Sequence, residues 1–259
     1  MALQHIEAVM GTMISIDIVD SSDESAIDDL VAWFHHVDEV FSPYKSDSEV
    51  SRLGAGTVAL ADLPTDCPTT TELREVLRRC EDLLDETRGV FDVWSLPSPN
   101  GSRFDPCGYV KGWSVQRAAE MLERRGIHRF FINAGGDVVV RGLHHDARPW
   151  RVGVRHPHSA DKVAVVLAAT GALAVATSGS YERGGHIIDP RTDQPATDTA
   201  SATVVGPNLA DADAYATTLA IMGVDGLQWL AERDGYCGCV ITPDGTVWAT
   251  DQFNSYRAN

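Results

Sequence analysis

Residues 10–20 (MGTMISIDIVD) alternate apolar and polar side chains, the period of a half-buried strand. Through residues 24–41 (ESAIDDLVAWFHHVDEVF) the apolar positions recur at three and four, which predicts a helix with Ser22 or Asp23 as its cap. FSPYKSDSEVSRLGAG (41–56) reads as a turn and a short helix stopped at glycine, and TTELREVLRRCEDLLDETRG (70–89) as the clearest helix, closed by Gly89. Residues 90–108 (VFDVWSLPSPNGSRFDPCG) are dense in Pro, Gly, Ser and Asn and predict irregular chain. KGWSVQRAAEMLERRG (111–126) predicts another helix, and HRFFINAGGDVVVRG (128–142) a strand, a glycine turn and a strand.

Three short β-rich runs follow, PWRVGVRHP (149–157), KVAVVLAAT (162–170) and ALAVATSG (172–179), spaced as antiparallel neighbours. NLADADAYATTLAIMG (208–223) predicts a helix capped by Asn208, and VDGLQWLAERDG (224–235) a shorter one. YCGCVITPDGTVWAT (236–250) is expected to end the fold as a hairpin turning at Asp244-Gly245. Without regular βαβ alternation the expected class is α+β, with mixed, largely antiparallel sheets and packed helices in one domain over residues 1–259.

Composition narrows the partners. The chain has 259 residues, is 44% hydrophobic and 22% charged, and carries a formal net charge of -16 with lysine only at Lys45, Lys111 and Lys162. So acidic a chain repels a polyphosphate backbone, so nucleic acid is not an expected partner. A phosphorylated small ligand needs local cations, backbone amides or a metal to offset that field. No run reaches the roughly 20 apolar residues of a membrane span. MALQHIEAVMGT lacks a basic region, an apolar run and a cleavage site, which sets the expectation of a cytoplasmic protein. The five cysteines (Cys67, Cys80, Cys107, Cys237, Cys239) are read as free thiols, with Cys237 and Cys239 expected on opposite faces of one strand.

Four stretches have residue types suited to chemistry. FDPCGYVKGW (104–113) places Asp105 and Lys111 at a helix start, whose amides favour phosphate or carboxylate; an Asp105 cap with a solvated lysine is the plainer alternative. The paired glycines of INAGGDVVVRG allow close backbone approach to a ligand, or simply turn a hairpin. In VATSGSYERGGHIIDPRT (175–192), Thr177 and Ser178 are potential donors to phosphate oxygens, and His186 and Asp189 could orient a substrate or move a proton. His186 could equally be satisfied within a loop, and the lack of a G-x-S-x-G elbow disfavours a Ser178–His186–Asp189 hydrolase triad. Asp213 and Thr217, one helical turn apart, are hard oxygen ligands too few to cage an ion alone, as suits Mg²⁺. On spacing alone, a threonine bonded to its own i−4 carbonyl and an aspartate in the helix's early turns are the favoured reading.

Taken in order, MGT (10–12), FSPYKSDSEVSRL, GVFDV, DPCGYVKG, NAGGDVVVRG, WRVGVRHP, TSGSYER, HIIDPRT and ADAYATTLAIMG resemble the ApbE family, the FAD:protein FMN transferases, over nearly the whole chain. The resemblance implies a T-fold-related architecture, with FAD between two closely packed subdomains. It implies that FAD is split at its pyrophosphate, FMN passing to a Thr or Ser hydroxyl of an acceptor flavoprotein with a D-G-x-[ST]-G-A-T-like motif while AMP leaves. Carried over by motif, Asp213, Thr217 and the Gly108 carbonyl hold Mg²⁺. Met10, Tyr44, Val90, Phe91, Asp92, Asp105, Lys111 and Ile188 contact the flavin nucleotide, with Thr177 and Ser178 in the same pocket. Lys111 offsets phosphate charge, and Asp105 or His186 takes the acceptor's proton. The chain departs from the family pattern at Gly54 (usually Asn), Gln116 (usually Asp) and Asp193 (usually Gly), and its segments between FDV and FDP and between YER and HII are short. Three other functions compete: a Mg²⁺-dependent FAD pyrophosphatase, an FAD-binding protein without turnover, and a purely structural domain.

Overall fold

A computed structural model of the chain describes residues 2–179 and 187–258. Its strands are β1 (Leu3–Val9), β2 (Thr12–Ile18), β3 (Phe130–Ala134), β4 (Asp137–Arg141), β5 (Trp150–His156), β6 (Ser159–Ala169), β7 (Leu173–Gly179), β8 (Ile188–Asp189), β9 (Gln194–Pro195), β10 (Ser201–Gly206), β11 (Cys237–Ile241) and β12 (Val247–Ala249). The α-helices are α1 (Ser25–Phe41), α2 (Glu49–Gly54), α3 (Pro68–Glu86), α4 (Cys107–Arg124), α5 (Leu209–Met222), α6 (Gly226–Ala231) and α7 (Asp251–Asn254). Eight strands make one sheet in the order β1-β2-β3-β4-β7-β10-β11-β12, every neighbouring pair antiparallel. The class is α+β.

Four strands escaped the sequence reading: β1, the two-residue β8 and β9, and β10. β1 pairs with β2 through a two-residue turn at Met10 (φ +56°) and Gly11 (φ +67°), the left-handed pair that matches hairpin twist. β10 lies inside the sheet with all six residues buried, so it carries no alternation to detect.

Strand periodicity sorts the two faces. Ile14, Ile16, Ile132, Val139, Ala174, Ala176, Ala202 and Val204 point to one side, where they meet the apolar faces of α1, α3, α4 and α5. Small residues on β7 and β10 let α5 sit close, and α5 is itself alanine-rich and buried nearly all round. On the other side Val138, Val140, Leu173, Val175 and Val205 pack under the separate β5–β6 hairpin, with Trp150, Val152, Val165 and Leu167.

Cys237 and Cys239 both enter this second cluster, which corrects the expectation of opposite faces: residues i and i+2 of a strand share a side. All five cysteines are free. The β11–β12 hairpin turns at Asp244-Gly245 as expected, but α7 follows it, and Phe253 is buried in the second cluster. Among the described residues, no helix is long and apolar enough to cross a membrane.

Candidate active site

α4 and α5 pack closely at Gly112. A Cβ there would lie 2.6 Å from the Leu209 carbonyl oxygen and 2.7 Å from Asp213 Cβ, so only glycine permits this spacing. The Gly112 amide donates to Asp213 Oδ2 at 3.0 Å. In a helical ladder that amide serves the Gly108 carbonyl, an oxygen that has a second lone pair in any case.

Asp213 is 2% exposed. Burial, and then the neighbouring charge of Asp137, push its carboxyl well above the usual carboxylate range, while Lys111 and the Gly112 amide oppose the rise. Lys111 stands between two acids, with its Nζ 2.6 Å from Asp137 Oδ2 and 3.8 Å from Asp213 Oδ1. Asp137 is fully buried and its Oδ1 accepts from the Thr177 amide at 3.1 Å. Among the described residues, Lys111 is the cation that these two buried carboxylates share.

Thr217 lies one turn beyond Asp213 on α5. Among the described residues its Oγ1 pairs with Ser178 Oγ at 3.1 Å, whereas the i−4 back-bond is made by the next residue, Thr218, to the Ala214 carbonyl at 2.8 Å. Gly108, in the first turn of α4, faces the same hydroxyl: its Cβ would stand 4.0 Å from Thr217 Oγ1 and 3.5 Å from the Phe91 ring. Val90, Phe91, Asp92, Asp105, Gly108, Ile188 and Thr217 all line one groove, together with Pro190 and Ile221. Seven residues named from dispersed motifs therefore share one surface. Asp105 Oδ1 accepts from the Cys107 amide at 2.9 Å, fixing the carboxylate at the head of α4. Asp92 is held through the Trp94 amide (2.8 Å) and the Ser95 hydroxyl (2.6 Å).

A hard divalent cation suits this donor set: a buried carboxylate, a hydroxyl and a helix-start carbonyl, all oxygen. Three protein donors leave room for water or phosphate oxygens.

Other nominated residues are placed less directly. Met10 sits on the β1–β2 turn, where Ser114 of α4 approaches its sulfur at 3.8 Å. Tyr44, after α1, is 77% exposed and its ring is open to solvent. Ser178 reaches the site, but the Thr177 hydroxyl does not: it pairs with Thr203 Oγ1 across β10 at 3.0 Å, on the face that carries Val175 and Val205. Only the Thr177 backbone serves the Asp137 cluster. His186 lies outside the described residues.

Asp137 and Gly112 were missed as site residues. The available signal for Asp137 was a carboxylate opening an all-apolar strand, DVVV, directly after two glycines. The departures from the family pattern have physical explanations. Gly54 admits Ser102 of the short 93–104 connection, whose Oγ would lie 2.6 Å from a Cβ. Gln116 Oε1 accepts from the Leu209 amide at 3.1 Å, capping α5. Asp193 keeps the left-handed backbone glycine would supply (φ +58°) and pairs with Arg103 at 2.5 Å.

The model described as the ApbE family matches residues 10–98 and 94–241. A FAD:protein FMN transferase of Rhodobacter capsulatus is 33% identical over 233 residues, covering 86% of this chain and 39% of that protein. The solved flavin transferase ApbE from Vibrio cholerae superposes with a TM-score of 0.81 at 23% identity, over 99% of each chain. The ApbE protein from Thermotoga maritima does so with a TM-score of 0.83 at 20% identity, over 100% of each. The chain spans less than half the length of several curated relatives it matches. Since the matched segments run from residue 10 to residue 241 and take in the α4–α5 pair and the groove between them, the chain belongs to the ApbE family.

Proposed function

We propose that this protein transfers the FMN moiety of FAD to a Thr or Ser hydroxyl of an acceptor flavoprotein and releases AMP. The relatives' shared name supports the reading. The observation that carries it is that Gly108 and Thr217 line one groove with Val90, Phe91, Asp92 and Ile188, while Asp213, one turn before Thr217, stands 3.8 Å from Lys111. Asp213, Thr217 and the Gly108 carbonyl would hold Mg²⁺, which when bound neutralises charge on the pyrophosphate oxygens.

The chain's own groups do the rest. Lys111, anchored by Asp137, presents an ammonium to the phosphates within an otherwise acidic molecule. Val90, Phe91 and Ile188 offer the apolar wall a flavin ring needs, and the same reading assigns Met10 and Tyr44 to flavin contact. The new bond forms between the acceptor hydroxyl oxygen and the FMN phosphorus as the phosphoanhydride bond to AMP breaks. We assign the hydroxyl proton to Asp105, a carboxylate that lines the groove at the head of α4. The acceptor is expected to carry a D-G-x-[ST]-G-A-T-like segment.

The test incubates the protein with FAD, Mg²⁺ and an acceptor domain bearing that segment, followed by intact-mass spectrometry and nucleotide chromatography. The expected result is acceptor mass increased by FMN less water, with AMP in equal amount and neither product from Asp213→Ala. FMN and AMP released equally without acceptor would identify a hydrolase instead, and FAD left intact a binding protein.

A further inference from the structure

Away from the groove, Gln4, Ile6, Asp17 and Phe131 share the second face of the β1–β2–β3 end of the sheet, beside Trp150 of the β5–β6 hairpin. A cavity of about 890 Å³ opens there, lined by Gln4, Ile6, Asp17, Phe131, His144 and Trp150 among others. At its edge Asp17, His144 and His145 bring three potential ligand atoms within 4.8 Å of one another. Asp17 projects from β2, and the two histidines are adjacent in the β4–β5 connection. We propose that these three side chains form a second metal site, for a borderline divalent ion such as Zn²⁺ or Co²⁺, distinct from the oxygen-rich site on α5.

The donors are already set as a metal would need them. Asp17 Oδ2 accepts from Gln4 Nε2 at 3.0 Å, while Oδ1 is buried and accepts no hydrogen bond among the described residues. His145 Nε2 stands 3.4 Å from that oxygen. Two ligands each about 2.0–2.1 Å from a tetrahedral zinc lie about 3.4 Å apart, so this pair already spans one edge of such a site. The surroundings fix the loop. Arg129 donates to the Leu143 carbonyl at 3.1 Å and to the His144 carbonyl at 2.8 Å, and the His144 amide donates to the Arg148 carbonyl at 2.9 Å. The His144 ring packs edge-on against Trp150 at 4.8 Å. The Asp17–Gln4 bond orients the carboxylate as outer partners of metal ligands do. Two imidazoles and one carboxylate select Zn²⁺, Co²⁺, Ni²⁺ or Cu²⁺ over Mg²⁺. The remaining coordination position opens on the cavity that Asp17 and His144 line, which supplies the entry path.

The test uses the whole protein, stripped with chelator and held in excess Mg²⁺ so that hard-oxygen sites are saturated. Co²⁺ is then titrated and followed by visible absorption, with Zn²⁺ competition followed by calorimetry. The expected result is one equivalent of Co²⁺ with the intense visible bands of a four-coordinate ion, displaced by Zn²⁺. His145→Gln and Asp17→Asn should each weaken uptake by at least about tenfold, with the circular dichroism of the folded chain retained. His145 is in a partly exposed loop, so its variant keeps the test open should Asp17→Asn fail to fold. No Co²⁺ uptake by the wild type, or uptake unchanged in a His144→Gln/His145→Gln variant, would overturn the proposal.

Discussion

Replacing Gly112 with alanine adds one methyl group at a close contact between α4 and α5. That Cβ would meet the Leu209 oxygen at 2.6 Å, Asp213 Cβ at 2.7 Å and Ala210 Cα at 3.1 Å, where carbon contacts normally sit at about 3.5–4.0 Å. None of the three can rotate aside, because two are backbone atoms and the third is a Cβ. The helices must therefore part by roughly 1 Å. Alanine favours the helix by about 1 kcal/mol over glycine, and overpacking costs about 1–3 kcal/mol, here toward the upper end. The net loss is about 2 kcal/mol, or about 4–8 °C in Tm for a chain of this size. The same separation moves Asp213 and Thr217 away from Gly108 and Lys111, and a displacement of that size costs about 100-fold in rate. Thermal unfolding without metal, and initial AMP release against Mg²⁺ concentration, would read the two effects. A variant that melts at or above the wild-type temperature and turns over normally would refute the helix-spacing reasoning.

Three further changes probe separate parts of the site. Because the Asp213 carboxyl is raised in the folded state, the stability its proton contributes is complete below the ordinary carboxylate range and is lost as pH rises through the raised value. Metal-free wild type should accordingly lose Tm relative to Asp213→Asn as the medium turns from acid to mildly alkaline, and Mg²⁺ should restore the wild type alone; parallel curves for the two proteins would exclude this. Asp137→Ala removes the Lys111 ion pair and the Thr177 bond, and should cost about 2 kcal/mol in urea denaturation. It should also weaken FAD binding in a flavin-fluorescence titration, and unaltered affinity would mean that Lys111 needs no anchor. Gln116→Ala takes the cap from α5 and should lower stability by about 1 kcal/mol with little change in turnover; lost activity at unchanged stability would point to a different role for Gln116.

Much of the architecture was legible because local chemistry agreed with the final packing. The Asn208 cap was expected, and its side chain accepts from the Ala210 amide at 2.8 Å. The paired glycines of residues 135 and 136 turn β3 into β4 with positive φ at both. β10 stayed hidden because a strand buried on both faces has no alternation, and the pairing of β7 with β4 and β10 joins runs far apart in sequence. At the site, Asp213 and Thr217 were visible as a one-turn pair. Their neighbours Asp137 and Gly112 were not, since a buried counter-charge and a helix contact exist only once β4, α4 and α5 are assembled. Thr177 shows the converse: Thr and Ser adjacent in a motif point to opposite sides of a strand, and only Ser178 faces α5.

The metal's position decides most. Crystals grown with FAD and Mn²⁺ in place of Mg²⁺ should give one anomalous peak beside the FAD pyrophosphate, within coordination distance of the Asp213 carboxylate, Thr217 Oγ1 and the Gly108 carbonyl. Bound FAD with that position empty, or with manganese held elsewhere along the dinucleotide, would contradict the account.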